Sequence, residues 1–282
     1  MSNKQKGMLC IILSAFFFAM MSLFVKLSGP TIPSIQKSFF RNFVAMIIAG
    51  AMLIKNKEGF HIQKKDLGLL ILRASFGTIG ILANFYAVDH LLLADASILQ
   101  KMSPIFVLLF SYLILKEKIK PRQLLFIIGS FTGALFVVKP SFQNHSLSAS
   151  IIALIGAAAA GVAYTLVRLL TNRGVKKTYI VFFFSSFSCL VVVPYLLFNF
   201  VPMDSTSLVY LILAGIMAAG GQFAITNAYS YAPANEISIF DYSQIIFSAL
   251  AGFFVFHQIP DALSIIGYLL IISMAIINFL YN

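Results

Sequence analysis

The sequence predicts an all-α integral membrane protein of ten transmembrane helices, arranged as two similar halves of five with the second half inverted. Three observations carry this. First, 60% of the 282 residues are hydrophobic and only 10% are charged, too little charge to cover the surface of a water-soluble fold. A mean hydropathy of +0.94 agrees. Second, the apolar residues gather into runs of about 20, the length a helix needs to cross a bilayer. Third, short motifs of the first half recur in order in the second.

Taken along the chain, the runs fall at 7–27, 35–54, 67–88, 95–115, 122–138, 149–170, 178–199, 207–229, 235–256 and 261–281. Helix-breaking or charged residues separate them. Gly29, Pro30 and Pro33 close the first run, Lys55 to Asp66 the second, and Lys116 to Arg122 the fourth. Later breaks come at Lys139 and Pro140, Arg173 to Lys177, Pro202, Pro233 and Pro260. The connections are short, so no soluble domain lies between spans. The first run lacks a small-x-small cleavage site and is expected to be a retained helix.

The net charge of +11 follows from topology. With a cytoplasmic N-terminus, the inner connections hold Lys4 and Lys6, then Lys55, Lys57, Lys64 and Lys65. The cluster from Lys116 to Arg122 and the trio Arg173, Lys176 and Lys177 fall on the same side. The outer connections keep little beyond Lys139, with Lys26 and Lys37 near the outer helix ends. Both termini are therefore expected in the cytoplasm, and a nucleic-acid partner is not needed to explain the charge. Cys10 and Cys189 lie inside apolar runs, where a thiol behaves as a small apolar group, and form no disulfide or metal motif. No cofactor is expected.

The internal repeat rests on Gly77, Asn84 and Tyr86, which match Gly220, Asn227 and Tyr229 at one offset. After a connection two residues shorter, residues 94–97 align with 235–238, and Ile98 and Phe106 with Ile239 and Phe247. The halves are 1–140 and 141–282. Five helices per half is an odd number, so the second half must sit upside down, an architecture that places a site between the halves near the midplane.

Ionisable side chains inside a bilayer cost several kcal/mol and mark candidate sites. They are Arg41 in the second run, Arg73 in the third, Lys101 in the fourth and Asp241 in the ninth. Lys101 stands six residues beyond Asp95, about 9 Å from the outer face, and Asp241 stands five beyond Glu236, about 7.5 Å from the inner face. In straight helices that leaves about 13 Å of depth between them, too far for an ion pair. Pro104 cannot donate to the Gln100 carbonyl and is expected to kink the helix beside Lys101. Arg41, next to Asn42, could hold a carboxylate or phosphate bidentately. Arg73 lies near enough to the inner face for its side chain to reach headgroups. Tyr242, Gln244, Asn84 and Asn227 complete the candidate substrate-binding or coupling set with Arg41, Lys101, Glu236 and Asp241. Interhelical hydrogen bonding is the bland alternative for the amides, Gln222 included. The small-residue pairs Gly129/Gly133 and Ala157/Gly161 should let helices approach closely.

At these residues the sequence resembles the ten-helix EamA type of the drug/metabolite transporter superfamily, over the whole chain. The carrying motifs are Phe-Arg-Asn at 40–42, Leu-Ala-Asp-Ala-Ser at 93–97 followed by Lys-Met-Ser-Pro at 101–104, and Leu-Lys-Glu-Lys-Ile at 115–119, with Glu117 where relatives close helix 4. The second half adds Asp-Tyr-Ser-Gln at 241–244 and Phe-His-Gln-Ile-Pro at 256–260. Relatives commonly carry a Gly-Glu pair where this chain has His257 and Gln258. The resemblance implies a secondary transporter in the plasma membrane, typically an exporter of metabolites, with helices 5 and 10 at the periphery. The expected cargo is a small zwitterionic or amphipathic molecule, and a coupled proton and a second copy of the chain are candidate partners. Cation efflux like that of the four-helix multidrug pumps is disfavoured, because those need an acid in helix 1 and residues 7–27 have none. The chain lacks a Gly-x-Ser-x-Gly elbow and a His-Glu-x-x-His pair, so an enzyme is not expected. A non-transporting membrane scaffold is the remaining alternative.

Overall fold

The computed structural model describes residues 2–56, 64–115, 121–138, 147–232 and 237–280, and Glu58, Glu117 and Glu236 lie outside them. The described residues fold into helices without strands: α1 (Asn3–Leu27), α2 (Ser34–Lys55), α3 (Lys64–His90), α4 (Leu93–Gln100), α5 (Ser103–Leu115) and α6 (Pro121–Val138). They continue with α7 (Leu147–Asn172), α8 (Lys177–Asn199), α9 (Ser205–Tyr231), a 3-10 turn (Ser238–Tyr242), α10 (Ser243–Phe256) and α11 (Ala262–Leu280). Seven stretches among the described residues are long and apolar enough to cross a membrane, counting 95–114 through the α4–α5 junction as one. The protein is a multi-pass α-helical membrane protein.

Local chemistry explains the helix ends. Ser2 and Gln5 form a capping box at the start of α1, each side chain bonded to the other's backbone, at 3.2 and 2.9 Å. Gly29, at φ +88°, and the two prolines after it turn the chain into α2. Gly174, at φ +82°, ends α7 in the same left-handed conformation. His257 caps α10 at φ +52°, with Gln258 N–H donating to the Gly252 carbonyl at 3.0 Å. This position demands the backbone that glycine adopts freely. Replacing His257 with glycine should therefore raise stability by about 1 kcal/mol, seen as a higher unfolding midpoint in detergent. Gln258 has a role of its own: its Oε1 accepts from Leu93 N–H at 3.1 Å, capping α4 from the far half of the chain.

Helix packing is pairwise. α1 lies along α9, α3 along α7, α2 along both α8 and α9, and α5 along α7, while α10 leans on α1 and α4. α6 and α11 pack chiefly on each other, at the periphery. Hydroxyls bind the spans where apolar contact alone supplies little drive in lipid: Ser14 Oγ donates to the Gly221 carbonyl at 3.0 Å, Thr78 and Ser188 meet at 2.6 Å, and Ser97 donates to Ser248 at 2.7 Å. The predicted small-residue contacts are present. A Cβ on Gly133 would come within 2.9 Å of the Gly267 carbonyl oxygen, and one on Gly161 within 2.4 Å of Phe106 Cβ. Outward faces carry Leu13, Ile47, Leu197, Phe198 and Phe254, as lipid exposure requires.

Candidate functional site

The centre of the bundle is polar because two spans are broken there. The Pro104 ring leaves the Gln100 carbonyl without its usual amide donor, and α4 stops at Gln100. Met102 N–H turns back to the Leu99 carbonyl at 3.1 Å before α5 begins. On the other side of the bundle, the 3-10 turn replaces the first turns of the ninth span. Lys101 sits on the first break and Asp241 on the second, and the two meet: Lys101 Nζ lies 2.7 Å from Asp241 Oδ2, with both side chains at most 4% exposed. The expected 13 Å of depth between them is therefore wrong. That estimate assumed straight helices, and both elements depart from straightness where the charges lie.

Around this pair is a small chamber of about 40 Å³, lined also by Arg41, Asn84, Tyr164, Gln222 and Gln244. It is large enough for a water or two and too small for a metabolite in this state. The structure thus brings together Arg41, Asn84, Lys101, Asp241 and Gln244 of the sequence-derived set. Tyr242 is buried beside Asp241 with its hydroxyl unpaired. Asn227 stands apart: it accepts from Lys177 Nζ at 3.2 Å and lines a separate opening. Glu236 falls outside the described residues.

Two residues are more important than the sequence indicated. Arg73 was expected to reach for headgroups, yet it is 2% exposed, its guanidinium stacked 3.7 Å above the Phe184 ring centroid and its Nη2 donating to Gln222 Oε1 at 3.2 Å. It stands nine residues into α3, about 14 Å deep, well past the reach of a snorkelling side chain. Arg41 approaches the same ring at 5.6 Å and hydrogen-bonds Asn42. Gly77 makes this possible, since a Cβ there would meet Phe184 at 2.7 Å and Arg73 Nη1 at 2.8 Å. Phe184 itself carried no signal in the sequence, being one phenylalanine in an apolar run.

The two ends of the bundle differ. At the end holding the α1–α2 connection, Asp89 accepts from Lys37 at 2.5 Å and from Ser34 at 2.9 Å. Gln36 exchanges two hydrogen bonds with the Val201 backbone, at 2.8 and 2.9 Å, and Lys26 donates to the Leu91 carbonyl at 2.7 Å. At the opposite end, a vestibule of about 560 Å³ opens between α2, α7, α8 and α9, lined by Met52, Lys176, Lys177, Phe223 and Asn227. Phe223 of the vestibule and Gln222 of the chamber are consecutive residues of α9, one facing each cavity.

A polar chamber buried between membrane spans, with polar bonds tying one end of the bundle and a vestibule at the other, is the build of a membrane transporter. The sequence matches the EamA-like transporter family over residues 5–139. It is 33% identical to the pseudopaline exporter CntI of Pseudomonas aeruginosa over 96% of this chain and 95% of that one. Human solute carrier family 35 member G1 is 26% identical over 95% of this chain and 77% of its own length. The riboflavin transporter of Brucella anthropi is 25% identical over 82% of each. A crystal structure at 16% identity superposes with a TM-score of 0.72, over 98% of this chain and 97% of that one, which shows the fold. The chain belongs to the EamA-like transporter family of the drug/metabolite transporter superfamily. It is a small-molecule transporter and not an enzyme.

Proposed function

We propose that this chain exports small zwitterionic or amphipathic metabolites across the bacterial plasma membrane by alternating access between two inverted halves, residues 1–140 and 141–282. Ten spans follow if α6, the 3-10 turn with α10, and α11 join the seven longer stretches. The helix contacts support two equivalent halves, and an odd number of spans in each would make the pair inverted. Exchanging α1 with α7, α2 with α8, α3 with α9 and α6 with α11 converts the α1–α9 contact into α7–α3 and returns α2–α8 and α6–α11 to themselves. Exchanging α4–α5 with the 3-10 turn and α10 likewise converts α5–α7 into α10–α1.

The basic residues favour cytoplasmic termini, and the vestibule then opens to the cytoplasm with Lys176 and Lys177 at its mouth. Outward export is the direction named for the Pseudomonas relative. Cargo would load through the vestibule past Asn227, reach Arg41, Asn84, Lys101, Tyr242 and Gln244, and leave when the Lys37–Asp89 end parts. Asp241 would carry a coupled proton, its exchange gated by Lys101, with Glu236 as a second candidate. The observation that carries this reading is the buried Lys101–Asp241 pair, set on the broken segments of two spans from opposite halves.

The test is a thermal-shift screen of the purified protein against metabolites, followed by vesicle flux of each hit under a pH gradient. Asp241→Asn should abolish the pH dependence of flux. Full pH-dependent flux by that variant removes the coupling role, and unchanged affinity in Arg41→Ala and Lys101→Ala removes the chamber as the cargo site.

A further inference from the structure

Charge around the chamber does not balance. Arg41, Arg73 and Lys101 bring three cations into the membrane interior, and all three are buried. Among the described residues Asp241 is the one carboxylate that lines the chamber, where it meets Arg41 and Lys101, while Arg73 stands behind Gln222, a lining residue to which it donates. The others within the bundle are engaged elsewhere: Asp66 with Arg173 at 3.1 Å, Asp89 with Lys37, and Asp95 with the Tyr268 hydroxyl at 2.7 Å. Lys101 already holds Asp241, so a cargo amine finds no free acid among the described residues there, and among the same residues the two guanidiniums have no anionic partner. A guanidinium keeps its charge in proteins. The Phe184 face offsets part of the cost of burying such a charge, but less than desolvation exacts. Three of the donors have no hydrogen-bond acceptor among the described residues: Arg41 Nε, Arg73 Nε and Arg73 Nη1.

We propose that the cargo is a dianion, and that the Arg41–Arg73 pair across Phe184 is the site that selects it. This rests on the transporter reading of the chamber and departs from a zwitterionic cargo: it assigns molecules of net charge −2, whose oxyanion groups supply the acceptors that the guanidinium forks lack. Carboxylates and phosphates share that chemistry. Glycine at 77 leaves the space in which Arg73 and Phe184 stack.

The test uses the full-length protein in nanodiscs of zwitterionic lipid, so that no anionic headgroup competes. Unfolding midpoints are measured against glutarate and glycerol 3-phosphate, both dianions, against glutamine, a zwitterion, and against 1,5-diaminopentane, a dication. Stabilisation by either dianion at a concentration at least about tenfold lower than glutamine requires supports the proposal, and the stronger of the two identifies carboxylate or phosphate as the group recognised. Arg41→Gln and Arg73→Gln should each abolish that preference. Without ligand, the same variants should unfold no earlier than the wild type, because each removes an uncompensated charge. A midpoint several degrees lower would make the arginines structural and overturn the proposal. Preference for glutamine or the dication, or no response to any probe, overturns it as well. If a zwitterion or dication stabilises the protein and Lys101→Met removes the effect, the chamber stands as the cargo site and only the charge class fails. Dianion stabilisation that survives both arginine substitutions places binding elsewhere and removes the site.

Discussion

Substituting leucine for Asp241 alone is expected to cost about 3–5 kcal/mol, the usual penalty for leaving a buried charge without its partner. Methionine in place of Lys101 should cost a similar amount for the same reason. The double variant, Lys101→Met with Asp241→Leu, should recover most of the loss, because two apolar side chains of similar volume replace a pair that had to be desolvated. The expected coupling is large because the two atoms are 2.7 Å apart and shielded from solvent. Thermal unfolding in detergent of the wild type, the two single variants and the double variant measures it. Additive losses would show that the pair is not what holds the α4–α5 break to the 3-10 turn. The double variant should be stable and inactive in flux, which separates the pair's contribution to folding from its contribution to transport.

Gly161→Ala is the second large effect. The new Cβ would stand 2.4 Å from Phe106 Cβ, 3.0 Å from the Phe106 carbonyl carbon and 3.1 Å from Val107 nitrogen. Backbone cannot swing aside as a side-chain tip can, so α5 and α7 must separate. Overpacking of this kind costs about 1–3 kcal/mol, against a gain of at most about 1 kcal/mol from the better helix propensity of alanine. Tyr164, three residues on, lines the chamber, so flux should fall along with stability. Gly129→Ala provides the contrast. Its Cβ would meet Met274 Sδ at 2.5 Å and Cγ at 2.6 Å, but methionine is flexible and can move away. That variant should unfold within about 0.5 kcal/mol of the wild type. Equal losses in the two variants would mean that peripheral and central helix contacts are equally rigid.

Much of the architecture was legible in the sequence because hydropathy leaves little choice in a bilayer. The run expected at 35–54 is the helix Ser34–Lys55, and the one at 178–199 is Lys177–Asn199. The break beside Lys101 was legible too, since proline announces it. Its counterpart at Ser238–Tyr242 contains no proline, and a 3-10 turn of ordinary residues has no sequence signature; without it, the distance from Lys101 to Asp241 could not be judged. Arg73 was misread for a different reason. Distance along a helix gives depth, but burial depends on what packs opposite, and here that is Phe184 from a helix more than a hundred residues away. Asn84 and Asn227 show the limit of repeat matching, for they occupy corresponding positions in the sequence while one lines the chamber and the other the vestibule.

The unequal ends of the bundle have a kinetic meaning. Lys37, Ser34 and Gln36 fasten one end to Asp89 and Val201, while the other end stands open around Asn227. If those fastenings favour this arrangement by about 3 kcal/mol, fewer than about one empty molecule in a hundred faces the other way at any instant. The idle protein then waits on the side of its own N-terminus and rarely presents itself to the opposite compartment. Uptake from that compartment would be throttled by scarcity of the receptive form, however well the chamber fits the cargo. On the proposed alternating cycle, the placing of a few polar bonds would thus set how often the empty protein is receptive to each compartment, while the gradients set the net direction.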